Sequence, residues 1–182
     1  MRAEFMRFNS EVETLLTEAG LPIADLPSSR SLNLLGMREC GRLVGVVGIE
    51  VYGSVGLLRS LAVAEARREG GLGRALVSNA ETWAAAQGVK TLYLLTTTAA
   101  AFFVRLGYEV ISRSEAPLAI AATAQFAALC PASSTFMRKV LAAHNSFKRD
   151  FSSNIRRQPS GSVSVRSLSE SDFRYAAVAG IN

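Results

Sequence analysis

Arg68-Glu69-Gly70-Gly71-Leu72-Gly73 constrains the fold of this chain more than any other stretch. It follows an apolar run, Gly56-Leu57-Leu58-Arg59-Ser60-Leu61-Ala62-Val63, that reads as a buried strand. It opens an amphipathic run from Arg74 to Gln87 that reads as a helix. A strand, a glycine-rich turn and a helix N-terminus in this order form an anion site. Glycines let the backbone approach a phosphate, and the unpaired amides of the first helical turn point at it. The spacing Arg-x-x-Gly-x-Gly is neither the dinucleotide fingerprint G-x-G-x-x-G nor the phosphate loop G-x-x-x-x-G-K-[ST]. The same glycines can equally make a tight turn with no ligand. Arg67, Arg68 and Arg74 set positive charge beside the amides and favour the anion site.

The stretch resembles the pyrophosphate loop of the GNAT N-acetyltransferases, which bind acetyl-coenzyme A. Val63-Ala64-Glu65-Ala66-Arg67-Arg68 has the spacing that family uses between cofactor strand and loop, with Glu65 where a proline is common. Ala99-Ala100-Ala101-Phe102-Phe103-Val104-Arg105-Leu106-Gly107-Tyr108 resembles the family's other signature, Ala-x-x-Phe-Tyr-x-x-x-Gly-Phe. It follows a β-branched and apolar strand, Thr91 to Thr96, and reads as a short helix closed by Gly107. The resemblance spans roughly residues 5 to 141.

At 182 residues, nearly half of them hydrophobic, the chain suits one domain with an appendage. No apolar stretch reaches the about 18 residues of a membrane span. Met1-Arg2-Ala3-Glu4-Phe5 has no apolar signal core, so a cytoplasmic protein is expected. Cys40 and Cys130 form no CxxC and meet a single His144, which supports neither a disulfide framework nor a metal site. The net charge of +5 is uneven: residues 1–140 carry 14 Lys/Arg against 12 Asp/Glu, and residues 141–182 carry six against three. The basic tail lacks aromatic interleaving and any recognisable module, so no nucleic-acid partner is expected.

Val12, Leu15, Leu16 and Ala19 share one face of a helix ending at Gly20. Leu21 to Ser29 is a proline-punctuated loop. Leu32–Arg38, Leu43–Val51 and Gly56–Val63 form a meander with turns at Cys40-Gly41 and Tyr52-Gly53-Ser54. The helix over 74–87 presents Ala75, Leu76, Ala80, Trp83 and Ala84. Lys90–Thr96 and Tyr108–Ser112 read as strands, Ala119–Leu129 as an alanine-rich helix and Thr135–Leu141 as the last strand. The fold class is α/β, and the resemblance implies a GNAT-type mixed, splayed sheet flanked by helices. In that fold the strands 56–63 and 90–96 diverge, and the pantetheine arm pairs with their exposed main chain like an added strand.

Residues 112–141, from Pro117-Leu118-Ala119-Ile120 through Leu129-Cys130-Pro131-Ala132-Ser133 to Met137-Arg138-Lys139, resemble the bacterial arsenic-resistance N-acetyltransferases. Ala19-Gly20-Leu21-Pro22, Asp25-Leu26 and Leu58 to Val63 fit the same branch. The acetyltransferase domain is expected over 1–143, with a basic polar linker over 144–162. Val163 to Phe173 and the run to Ile181 resemble the opening strand and helix of another GNAT domain. The segment 163–182 is either a truncated second domain or an amphipathic end that packs on the first.

The resemblance implies a role for each candidate site residue. Arg68, Glu69, Gly70, Gly71, Leu72, Gly73 and Arg74 hold the pyrophosphate, Leu61 and Val63 line the thioester, and Phe102 and Phe103 pack on the cofactor. A backbone N–H near Val63 faces the thioester carbonyl and stabilises its oxyanion. Glu50, in the strand Gly48-Ile49-Glu50-Val51, is the candidate general base, directly or through water; alternation also permits a solvated strand residue. Arg59, inside an apolar strand, must find a partner. It either binds a carboxylate or arsenical oxyanion of the substrate in a forked geometry or pairs with Glu50. Ser60 lies on the opposite face if the strand is regular, and Thr96 stands where many relatives have Asn. Phe103 replaces the tyrosine that protonates the departing thiolate in many members. Protonation then falls to water, the substrate ammonium or a hydroxyl among Thr96 to Thr98.

The leading reading is an acetyl-coenzyme A-dependent N-acetyltransferase of a small amine or amino acid, and the branch resemblance suggests an arsenic-containing amino acid. A general amino-acid acetyltransferase is the alternative enzyme. A non-catalytic acyl-coenzyme A sensor is the alternative from another class. A homodimer is expected only by analogy with the fold.

Overall fold

The computed structural model describes residues 2–29 and 31–142. The expected linker over 144–162 and the strand-helix segment over 163–182 lie outside the described residues. One seven-stranded sheet organises the rest: β1 Ala3–Met6, β2 Leu32–Glu39, β3 Arg42–Tyr52, β4 Val55–Val63, β5 Thr91–Thr96, β6 Glu109–Val110 and β7 Thr135–Val140. Its order is β1-β2-β3-β4-β5-β7-β6. Only the β4–β5 pairing is parallel; the others are antiparallel. Helices α1 Ser10–Glu18, α2 Leu72–Ala86, α3 Ala100–Arg105 and α4 Leu118–Ala121 complete the fold.

The meander over β2 to β4 forms as its turn residues dictate. Cys40 and Gly41 both take positive φ, +47° and +80°, in the two-residue link between Glu39 and Arg42. That turn matches the right-handed twist of the strands it joins. Alternation then divides the side chains between two covered faces. Leu35, Val47 and Ile49 pack beneath α2 with Leu76, Ala80 and Ala84. Leu34 and Val46 pack beneath α1 with Val12, Leu15 and Leu16. Burial on both faces makes β3 almost continuously apolar. A third cluster, Leu57, Tyr93, Leu95, Ile120 and Phe136, closes the end of the sheet under α4.

Several elements depart from the sequence reading. β1 is additional: a four-residue, half-exposed edge strand paired with Leu34 to Met37, too short to show a period. The expected strand 108–112 shrinks to Glu109–Val110, because Ser112 caps a 3-10 turn over Arg113–Glu115 in a capping box with Glu115. The alanine-rich helix expected over 119–129 divides into α4 and a π-helical turn, Gln125–Leu129. Thr123 causes the division. Its Oγ1 donates to the Ile120 carbonyl at 2.7 Å and accepts from the Phe126 N–H at 3.2 Å, taking the place of ladder bonds.

Candidate active site

β4 is not a regular strand. Its register to β3 runs Gly48↔Arg59 and then Val46↔Ala62, so Ser60 and Leu61 stand opposite Val47 alone. Ser60 takes φ +53°, in the left-handed region. The bulge shifts the phase of the strand. Leu58 and Val63, five apart, both join the cluster under α2, while Ala62 joins the cluster under α1. Ser60 therefore does not alternate with Arg59 as a regular strand would require. Beyond the pair Leu57↔Tyr93, β4 and β5 no longer bond to each other.

The divergence leaves main-chain groups facing the gap. The Ala64 N–H donates to the Val44 carbonyl at 2.9 Å. By the alternation of an antiparallel ladder, the N–H and C=O of Val63 then point away from β3, toward the opening beside β5. The Val63 carbonyl accepts from Arg68 Nε at 3.4 Å.

The glycine loop lies beside the end of β4, and none of its residues line the cleft described below. Gly71 takes φ +71° as the N-cap of α2, with no capping side chain. The first bond of the helix runs from the Ala75 N–H to the Gly71 carbonyl, so the amides of Leu72, Gly73 and Arg74 have no acceptor within it. A Cβ at Gly73 would stand 3.5 Å from Phe102 Cζ and 3.7 Å from Val63 Cγ2. Gly73 thus brings α2 close to both the strand end and α3. Glu69 and Arg74 are exposed on the loop, whereas Leu72 is buried in the core and contributes its backbone. Of the three arginines, Arg67 turns away to an ion pair with Glu39. Arg68 and Arg74 supply the charge beside the amides.

A cleft of about 290 Å³ occupies the opening. Arg59, Ser60, Leu61, Thr96 and Phe103 line it, together with Leu21, Pro22, Gln125, Cys130 and Ser134, which the sequence reading left without a role. Phe103 is 5% exposed and meets Phe102 and Tyr108 edge-on, with centroids 5.0 and 5.4 Å away. Thr96 Oγ1 accepts from the Ala99 N–H at 2.9 Å, fixing the loop that leads into α3, and Thr96 lines the cleft. A wider groove of about 560 Å³ lies between α1 and the β2–β3 hairpin; none of its residues line the cleft. Among the described residues no group of three or more His, Cys, Asp or Glu could hold a metal.

Behind the cleft Arg59 anchors a buried network. Its Nη1 donates to Glu50 Oε1 at 2.8 Å and to Asp25 Oδ2 at 2.5 Å, and its Nη2 donates to Asp25 Oδ1 at 2.8 Å. Both arms of the fork are therefore engaged by protein carboxylates. The ion pair with Glu50 is the arrangement formed, and the forked clamp on a substrate carboxylate is not free in this state. Glu50, 3% exposed, also accepts from the Tyr52 hydroxyl at 2.5 Å. It does not line the cleft. Burial pushes the Asp25 carboxyl up, but the hydrogen bonds and charge of Arg59 outweigh it and leave Asp25 below its ordinary value. Burial pushes Arg59 down, and its two carboxylates more than restore it. Burial and the bond to Glu50 push Tyr52 up to about 12, so at neutral pH it stays protonated and donates its hydrogen bond to Glu50. The sequence reading noted Asp25 only within the branch resemblance and gave it no site role. The signal that pointed to it is the demand of a buried arginine for compensating charge.

The family model described as the acetyltransferase (GNAT) family matches residues 3–108. The chain belongs to that family. It is 37% identical over 78 residues to an uncharacterized N-acetyltransferase of Chlorobaculum tepidum, covering 42% of this chain and 50% of that protein. It is 45% identical over 64 residues to an amino-acid acetyltransferase of Pseudomonas fluorescens, covering 35% of this chain and 15% of that one. The chain thus matches half the length of the first relative and far less of the second. Among solved structures it resembles N-acetylglutamate synthase from Neisseria gonorrhoeae complexed with coenzyme A and N-acetyl-glutamate. The TM-score is 0.63 at 18% identity, covering 78% of this chain and 36% of that one. At that identity the likeness concerns the fold.

Proposed function

We propose that this chain is an acetyl-coenzyme A-dependent N-acetyltransferase that acetylates the amino group of a small amine or amino acid. The observation that carries the reading is the divergence of β4 from β5 above the uncapped, glycine-rich start of α2. The residues present fit the cofactor. The gap offers strand-edge groups at Val63 to an extended amide-bearing arm. The loop offers free amides and two arginines to a diphosphate. Gly71 keeps the approach open, with nothing within 4 Å of where its Cβ would stand. The likeness to a synthase solved with coenzyme A supports the same choice.

Bound there, acetyl-coenzyme A would supply an acetyl thioester for transfer to the amine. The chain's residues then have separable tasks. Val63 N–H is placed to stabilise negative charge on the carbonyl oxygen. Holding the amine beside the thioester supplies much of the remaining acceleration. Glu50 is proposed to receive the ammonium proton through water, since it does not line the cleft itself. Phe103 would pack on the arm and, lacking a hydroxyl, would leave protonation of the thiolate to water, the substrate ammonium or a hydroxyl among Thr96 to Thr98.

The resemblance over residues 112–141 supports an arsenic-containing amino acid, or a related toxic compound, as the acceptor, acetylated in the cytoplasm. A general amino-acid acetyltransferase is the competing enzyme. Phenylalanine at position 103 favours a second reading, a non-catalytic acyl-coenzyme A sensor. Thiol release against a panel of amines, with and without arsenicals, tests all three. Release with an arsenical amine supports the proposal. Release with common amino acids alone selects the general enzyme. Cofactor binding without release on any amine selects the sensor.

A further inference from the structure

Leu129, Cys130 and Pro131 form the part of the cleft wall where the chain leaves the π-helical turn for β7. Their own main-chain bonds are local. The Cys130 N–H donates to the Gln125 carbonyl at 3.0 Å, and the Pro131 carbonyl accepts from the Ser134 N–H at 2.9 Å. Neither bond reaches another element.

Arg113 supplies the long-range tie. Its Nη2 donates to the Phe126 carbonyl at 2.8 Å and its Nη1 to the Pro131 carbonyl at 3.2 Å. Its guanidinium carbon stands 4.5 Å from the centre of the Phe126 ring. That ring packs edge-on against Phe136 of β7, with centroids 5.2 Å apart. The two carbonyls bracket Leu129 and Cys130, so one planar group holds both ends of this wall. Arg113 is itself firmly mounted. The Ile111 N–H donates to the Phe136 carbonyl at 3.0 Å, and the capping box of Ser112 and Glu115 fixes the 3-10 turn that carries Arg113. Among the described residues no carboxylate pairs with Arg113, so its fork serves main-chain carbonyls.

The facing wall belongs to the sheet: Arg59, Ser60 and Leu61 stand on β4, and Leu94 to Thr96 on β5. In the acetyltransferase reading these strands take the extended arm of the cofactor. The wall at 129–131 is then left to the amine.

We propose that Arg113 is a positioning residue that holds the wall at 129–131 in place to receive the acceptor amine. The inference rests on the acetyltransferase reading and adds to it a residue that does not line the cleft. Charge alone does not do this. A lysine keeps the charge, but its ammonium lacks the planar fork that spans two carbonyls and stacks on a ring.

The experiment compares the full chain with Arg113→Ala and Arg113→Lys, all three carrying Cys40→Ser so that Cys130 is the sole thiol. Alkylation of Cys130 by iodoacetamide, followed by mass, reports how closed the wall is. Thiol release with the most active amine of the panel gives the acceptor KM and kcat, and calorimetry gives coenzyme A affinity. In Arg113→Ala, Cys130 should react several-fold faster. The acceptor KM should rise about tenfold, the factor of one hydrogen bond from a charged donor, with kcat and coenzyme A affinity near the parent's. Guanidinium chloride, far below denaturing concentrations, should restore both values in Arg113→Ala and leave the parent unchanged. Arg113→Lys should fall between the two and carries the test if Arg113→Ala does not fold. A lowered thermal midpoint with parental alkylation and parental KM would make Arg113 a residue of stability only. Full recovery in Arg113→Lys would make charge the agent. Either result overturns the inference alone. Thiol release with no amine at all in the parent chain overturns the acetyltransferase reading, and the acceptor role of Arg113 with it.

Discussion

Glu50 is held between Arg59 and Tyr52, and that setting gives its substitution two separable consequences. Glu50→Gln keeps the shape and a bond to Tyr52 but removes a charge, leaving Arg59 with Asp25 alone. Breaking one partner of a buried pair costs up to about 3–5 kcal/mol; Asp25 moderates the loss here, so a fall in thermal midpoint with retained folding is expected. If Glu50 also takes the ammonium proton, turnover of the folded variant falls by about 10²- to 10⁴-fold. The rising limb of the parent's pH–rate profile would disappear with it. A parental rate and profile would leave Glu50 as the anchor of Arg59. Phe103→Tyr tests the other proton. The ring packs edge-on against Phe102 and Tyr108 but also lines the cleft, so a para hydroxyl has an open direction. We expect a rate equal to the parent's or slightly higher, measured by thiol release with cofactor affinity held. Loss of cofactor binding would mean that the ring position admits no added atom.

The glycine loop and α2 act as one element, and Gly71→Glu separates its folding role from its proposed binding role. A non-glycine residue at φ +71° costs about 1–2 kcal/mol, too little to unfold the domain. The added carboxylate would stand at the uncapped helix start, where a diphosphate needs bare amides. Calorimetry should find coenzyme A binding abolished in Gly71→Glu and only weakened in Gly71→Ala; unchanged affinity in the glutamate variant would remove the loop from the site. This element was legible in the sequence. Three glycines between a buried strand and an apolar-striped helix leave few other geometries, and α2 begins only two residues before the expected Arg74. The β4 bulge was not legible. Leu58 to Val63 reads as an ordinary apolar run, and only the register to β3 reveals that its phase changes at Ser60. The division at Thr123 escaped for a related reason. Alanine content argues for a continuous helix, while one hydroxyl competing for backbone groups decides otherwise. Gln125 was hidden behind that error, because a continuous helix would have spent it on an ordinary turn.

Among the described residues, 2–29 and 31–142, three core clusters hold the sheet and its helices together. The sheet is covered by α2 and α3 on one face, by α1 on the other, and by α4 at its end. Every residue assigned to the cofactor or acceptor side lies within them. The remaining segment, from residue 143 on, is basic and serine-rich at first and then resembles the start of another domain. A polar, charged stretch offers little apolar surface with which to support a core. We therefore expect a chain ending at Ala143 to fold, to bind coenzyme A with the affinity of the full chain, and to turn over within about a few-fold of it. Three measurements on the two lengths decide the matter: far-ultraviolet circular dichroism, calorimetric affinity, and thiol release with whichever amine the panel identifies. Loss of structure would show that the tail completes the domain, and the boundary at 143 would be wrong. Retained structure and affinity with lost turnover would instead give residues 144–182 a part in catalysis. That outcome would move the missing proton donor, for which Phe103 leaves a place, outside the 2–142 domain.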